Sequence, residues 1–192
     1  MINQLTDRAL LRLSGGDAQS FLQGQFSNNI DALEGGAVQL NAYCQHQGKI
    51  IALIWVMKKA DEFYLSFASD LVEIVTKRLT MFKMMSDVTI TDVSNEVIQL
   101  GVIDEEFDGA FKLNDQQSVA LVDKHEFDLS DESNWEKACI ENGMAEVYLN
   151  TSEQFVPQLL NLDINEVGVS FTKGCYPGQE VVARLHYLGK SK

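Results

Sequence analysis

Residues 50–57 read Ile-Ile-Ala-Leu-Ile-Trp-Val-Met, an unbroken run of apolar side chains. A strand with one face in water alternates apolar and polar residues, whereas an unbroken run needs cover on both faces. The run is too short to span a bilayer. Turn signals bound it, His46-Gln47-Gly48-Lys49 before and Lys58-Lys59-Ala60-Asp61 after. It is therefore expected to be a buried strand, and any fold for this chain must place material on both sides of a sheet.

The flanking segments 38–45 and 62–67 complete a three-stranded meander. Upstream, residues 9–13 predict a short strand. Ser14-Gly15-Gly16-Asp17 predicts a turn, with Asp17 as N-cap of a helix over 18–23 that Gly24 stops. Downstream, Leu71, Val72, Val75, Leu79 and Phe82 recur at helical spacing. They predict an amphipathic helix over 70–84, capped by Ser69, with Met81, Met84 and Met85 as core filler. Strands are expected over 88–93 and 97–103 around the turn 94–96, and over 119–122 and 126–129. A helix over 133–142 is expected to close at Gly143, followed by an irregular stretch from 147 to 171. A last helix should start with Pro177 at its first position and stop at Gly189. Val181, Val182, Leu185 and Leu188 would form its apolar face, with Glu180 and Arg184 as an i,i+4 pair. This mixture predicts an α+β fold built on antiparallel sheet. The seam between two intertwined lobes is expected near residues 104–118, giving an N-terminal lobe over 1–110 and a second lobe over 111–192.

The chain of 192 residues has a formal net charge of -13. A sequence-independent grip on nucleic acid needs many Lys and Arg to neutralise phosphates, so direct nucleic-acid binding is not expected. The charge is uneven: residues 173–192 set Lys173, Arg184, Lys190 and Lys192 against Glu180 alone. Cys44, Cys139 and Cys175 are far apart, with no C-x-x-C pair and no zinc spacing, so neither a disulfide framework nor a metal site is expected. The first residues lack the apolar core of a signal peptide, and no segment predicts a membrane span. A reducing, cytoplasmic setting follows as the expectation.

The chemistry concentrates in Phe-Thr-Lys-Gly-Cys-Tyr-Pro-Gly-Gln-Glu, residues 171–180. Cys175 would precede a helix N-terminus with Lys173 two residues away, and both features favour a thiolate. Such a thiol serves as nucleophile, redox site or cluster ligand, or else as a small buried hydrophobe, and the local residues do not choose among these. The histidines His46, His125 and His186 are scattered. His186 lies roughly 15 Å along a helix from Cys175, too far for a dyad. Gln23-Gly24-Gln25 forms a second polar patch able to present amides to a heterocycle edge.

Two stretches carry a resemblance: LSGGDAQSFLQGQFSNNI near the start and FVPQLLNLDINEVGVSFTKGCYPGQEVVARLHYLGK near the end. They resemble the YgfZ-type folate-binding family, linked to iron–sulfur cluster assembly and repair and related to the aminomethyltransferase (T-protein) of glycine cleavage. The resemblance implies ferredoxin-like α+β lobes around a central folate channel. It also implies a C-terminal β-barrel, which this sequence stops short of. It makes Cys175 the functional cysteine, with Lys173, Tyr176, Gly178, Gln179, Glu180 and Arg184 in its motif. Gln25 and Glu141 would line the folate site, Glu141 matching a pterin-contacting glutamate of the transferases, and Lys173, Tyr176, Gln179, Glu180 and Arg184 would join them in binding the cofactor. Tetrahydrofolate or a derivative is the implied cofactor, and iron–sulfur client proteins, tRNA-modifying enzymes among them, are the implied partners. The transferases carry a catalytic aspartate where this chain has Gly48-Lys49-Ile50-Ile51-Ala52-Leu53, without a carboxylate. An aminomethyl-transferring or demethylating folate enzyme would lack its proton-handling group there. That reading is the alternative to an accessory factor, and a scaffold with a structural Cys175 is a third.

Overall fold

The computed structural model describes residues 1–123, 129 and 133–189. The strand expected over 126–129 falls almost wholly outside them, as do His125, Lys190 and Lys192.

Two antiparallel sheets organise the chain. Strands β3 (Val38–Cys44), β4 (Ile50–Lys59) and β5 (Glu62–Ala68) form the expected meander. β2 (Arg8–Ser14) and β6 (Thr89–Asp92) extend it to the order β3-β4-β5-β2-β6. The second sheet has the order β1-β7-β9-β8, with β1 (Ile2–Gln4), β7 (Ile98–Ile103), β8 (Phe111–Lys112) and β9 (Gln117–Val122).

β4 is buried from Ile50 through Met57, for the reason its sequence gave. Ile54 and Val56 face a core shared with α1 (Ala18–Gln23) and α2 (Val72–Lys83). Trp55 and Met57 face the other way, onto Ile103, Phe111 and Val119 of the second sheet region and Trp135 of α3 (Ser133–Glu141). Alternate residues of one strand thus feed two cores.

Several local expectations need correction. Asp17 does precede α1, but its side chain makes no cap bond; its carboxylate accepts the Asp87 N–H at 2.8 Å, tying the helix start to the loop before β6. The helix expected over 70–84 opens as a 3-10 turn, Ser69–Leu71, and ends at Lys83. Met81, Met84 and Met85 are not core filler. They are 60%, 82% and 98% exposed. Leu71, Val75 and Leu79 already cover the sheet at four-residue spacing, so Met81 falls on the opposite face, and Met84 and Met85 lie beyond the helix end. β6 and β7 join different sheets, although only the turn around Ser94 separates them.

α4 (Gln179–Leu188) begins later than expected. Pro177 stands outside it, and Gly178 holds the N-cap position at φ +85°. Val182 is fully buried, while Leu188 is exposed. Glu180 and Arg184 are both exposed and form no ion pair with each other. No helix among the described residues is long and apolar enough to cross a membrane.

Candidate functional site

The segment between Phe171 and α4 has no regular structure, so side chains fix its path. Lys173 is 9% exposed and Tyr176 is 7% exposed, both turned inward. Between them Gly174 and Cys175 face solvent. The Lys173 Nζ donates to the carbonyl oxygens of Gln23 at 2.6 Å, Phe26 at 2.5 Å and Asn28 at 2.9 Å. It also stands 5.4 Å from the centroid of the Tyr176 ring. Burial lowers the Lys173 ammonium to about 8, with the Asp31 carboxylate opposing. Burial raises the Tyr176 hydroxyl far above its usual range, and nearby Cys44 adds to that.

The chain reaches this geometry through local bonds. Ser170 N–H donates to the Ser27 carbonyl at 3.0 Å, and the Asn28 side-chain amide donates to Val167 at 3.2 Å. These contacts lay the loop before the motif against Ser27 and Asn28, just after the Phe-Leu-Gln-Gly-Gln element at residues 21–25. Gln25 lies within that wrap, half-buried, with its Oε1 buried and unpartnered. Gln179 and Glu180 open α4, and Arg184 follows one turn later on its exposed side. Glu141 sits apart from the motif at the end of α3. It is exposed, lies 3.8 Å from Lys137, and lines a cavity of about 160 Å³ with Asn142 and Asp104.

A second region, beside β4, holds two adjoining cavities, and none of their lining residues was expected from the sequence to form a site. One cavity of about 480 Å³ is lined by Gln39, Leu40, Trp55, Asn114, Asn142 and Met144, among others. A neighbour of about 230 Å³ adds Arg8, Trp135, Cys139, Glu146 and Tyr148. Trp55 and Met144 belong to both, so together they form one trough beside β4. The Arg8 guanidinium lies 3.6 Å over the Trp55 ring. It donates to Ser66 Oγ at 2.8 Å and to the Ser66 carbonyl at 3.0 Å, and it pairs with the Glu146 carboxylate. Trp135 meets Trp55 edge-on, with centroids 6.3 Å apart. Cys139 is half-buried, and burial raises its thiol. These residues come from segments far apart in the sequence and carry no local motif. The available signal was a cation, Arg8, at the start of a core strand.

Asn142 lines both the trough and the Glu141 cavity, which places Glu141 one residue from the trough. Cys175 lines none of these cavities. Among the described residues no group of three or more His, Cys, Asp or Glu side chains is placed to hold a metal ion.

The fold is that of the glycine-cleavage aminomethyltransferases. The crystal structure of glycine cleavage system aminomethyltransferase T from Bartonella henselae superposes with a TM-score of 0.67, over 99% of this chain and 64% of that one. At 11% identity the likeness carries the fold alone. No family model matches the chain. An uncharacterized protein of Haemophilus influenzae is 33% identical over 197 residues, covering 98% of this chain and 69% of that protein. The tRNA-modifying protein YgfZ of Serratia proteamaculans is 30% identical over 224 residues, covering 98% and 67%. That of Colwellia psychrerythraea is 28% identical with 68% of its length covered. The chain belongs to the YgfZ family, related to the aminomethyltransferases, and spans about two thirds of the length of these relatives.

Proposed function

We propose that the protein binds a tetrahydrofolate in the trough over Trp55 and serves the assembly or repair of iron–sulfur proteins, tRNA-modifying enzymes among them, with Cys175 as its functional thiol. The observation that carries the folate reading is the trough itself. A pterin is a flat ring with a hydrogen-bonding edge. It suits a concave site with aromatic walls and a few placed amides and carboxylates. Trp55, Trp135, Asn114, Asn142 and Gln39 supply that set, and Glu141 stands next to it.

An accessory role fits better than aminomethyl transfer. Residues 50–53, where the transferase acid would stand, are buried apolar side chains, so no carboxylate handles a proton there. Cys175 faces solvent, open to a client protein or a sulfur species. Gln25, with its unpartnered Oε1, and Gln179, Glu180 and Arg184 around the motif are proposed as its polar surroundings.

Both tryptophans of the chain line the trough, so the protein reports its own ligand. In titrations of 5-formyltetrahydrofolate, micromolar binding heat with a parallel quench of tryptophan emission is expected. Heat without a change in emission would put the ligand elsewhere, and no binding by either readout would overturn the folate reading.

A further inference from the structure

The sequence suggests that Lys173 acts on Cys175 as a neighbouring charge, or on a ligand. Its ammonium has three N–H donors and no acceptor. All three are engaged, by the carbonyls of Gln23, Phe26 and Asn28. No donor is left for a thiolate or a ligand. Two of these carbonyls flank the end of α1 and the turn after it, where the peptide dipoles leave negative potential that a cation offsets.

Three residues after Lys173, Tyr176 inserts in the same direction, its ring in contact with the same ammonium. Gly174 has open space around it, and Cys175 is exposed. The segment is an arch with two buried feet and the thiol at its crest. Gly178 pins the far side by packing against the turn at Gln45 and Gly48.

We propose that Lys173 is a positioning residue: with Tyr176 it anchors an arch that holds Cys175 outward at a fixed place on the surface. Its contribution to function is geometric, through the three carbonyls, and it touches neither ligand nor thiol. The functional weight of this arrangement rests on the reading of Cys175 as the working thiol. The arrangement itself does not.

A nitroxide attached to Cys175 in a Cys139→Ser background reads the arch directly, Cys44 being fully buried. In the parent protein a slow-motion electron paramagnetic resonance line shape is expected. In Lys173→Met, at temperatures where circular dichroism shows both proteins folded, the line shape should shift to fast motion. A second label at Asn150→Cys, with Cys175 and Cys139 replaced by serine, should give the same line shape in both. If Lys173→Met does not fold, Lys173→Gln retains an amide for part of the carbonyl set and should give an intermediate line shape. An unchanged line shape at Cys175 in the folded variant overturns the proposal. So does equal mobilisation at Asn150, which would make Lys173 a general stabiliser. If Cys175→Ala keeps full activity in cells, the functional reading of the thiol fails while the arch stands. The two failures are therefore distinguishable.

Discussion

Gly178 packs so closely on Gln45 that a Cβ at position 178 would stand 2.5 Å from the Gln45 carbonyl oxygen. It would also meet the Gly48 backbone at 2.8 Å, and φ is +85°. Neither neighbour is a flexible side-chain end, and L residues pay for this backbone region. Gly178→Ala is therefore expected to lose about 2–4 kcal/mol, seen as a melting temperature lower by roughly 5–15 °C. Gly174→Ala is its control. Nothing lies within 4 Å of a Cβ there, and its thermal unfolding should hardly move.

Arg8 is a cation inside a core, with its side chain 5% exposed and Glu146 as its counter-ion at 18%. Ser66 satisfies two of its donors but brings no charge. Removing one partner of a buried pair leaves the other uncompensated. Glu146→Ala should cost about 3 kcal/mol in denaturant unfolding. It should also disturb the Trp55 wall of the trough, read as a changed emission maximum of the folded protein.

Cys44 predicts how the protein responds to alkali. Burial pushes its thiol from 9.0 to about 12, with Arg78 opposing. The unfolded thiol ionises near 9.0, while the folded one keeps its proton until about 12. Between these values the folded state binds more protons, so stability falls as pH rises. The contribution is fully present below about 9 and is lost toward 12. The buried Tyr43 and Tyr176 hydroxyls, also raised, add in the same direction. Cys44→Ala should flatten the decline between pH 9 and 12 in denaturant titrations. In the folded parent at neutral pH, iodoacetamide should modify Cys175 and spare Cys44.

The sequence carried what depends on neighbours in the chain. The apolar run of β4, the turn at Gly48 and the helical spacing of Leu71, Val75 and Leu79 each follow from a local pattern. What it did not carry depends on distant partners. The turn at Ser94 is legible, but its sending β6 and β7 to different sheets is decided by β2 and β1 far upstream. The exposure of Met84 and Met85 depends on where α2 stops, at a residue with φ +39° that no local signal marks. Lys173 read as a charge acting on its neighbour Cys175 because its carbonyl partners are about 150 residues away in sequence. The trough was invisible for the same reason: Arg8, Trp55, Trp135 and Glu146 are brought together only by the meeting of the two sheets and α3.

The exposed side chain of Cys175 separates fold from function more cleanly than any other residue here. Its removal opens no cavity and breaks no hydrogen bond identified in the structure, so Cys175→Ala should shift stability by less than about 0.5 kcal/mol. The tetrahydrofolate titration should also be unchanged, because the thiol lines no wall of the trough. On the proposed function, the parent should restore iron–sulfur-dependent tRNA modifications in cells lacking the native chain and the variant should not, measured by mass spectrometry of digested tRNA. Full restoration by Cys175→Ala would remove the thiol from the mechanism and leave the proposed ligand binding at the trough to carry the function. Failure of restoration together with a lowered melting temperature would make the cysteine structural, against its exposure.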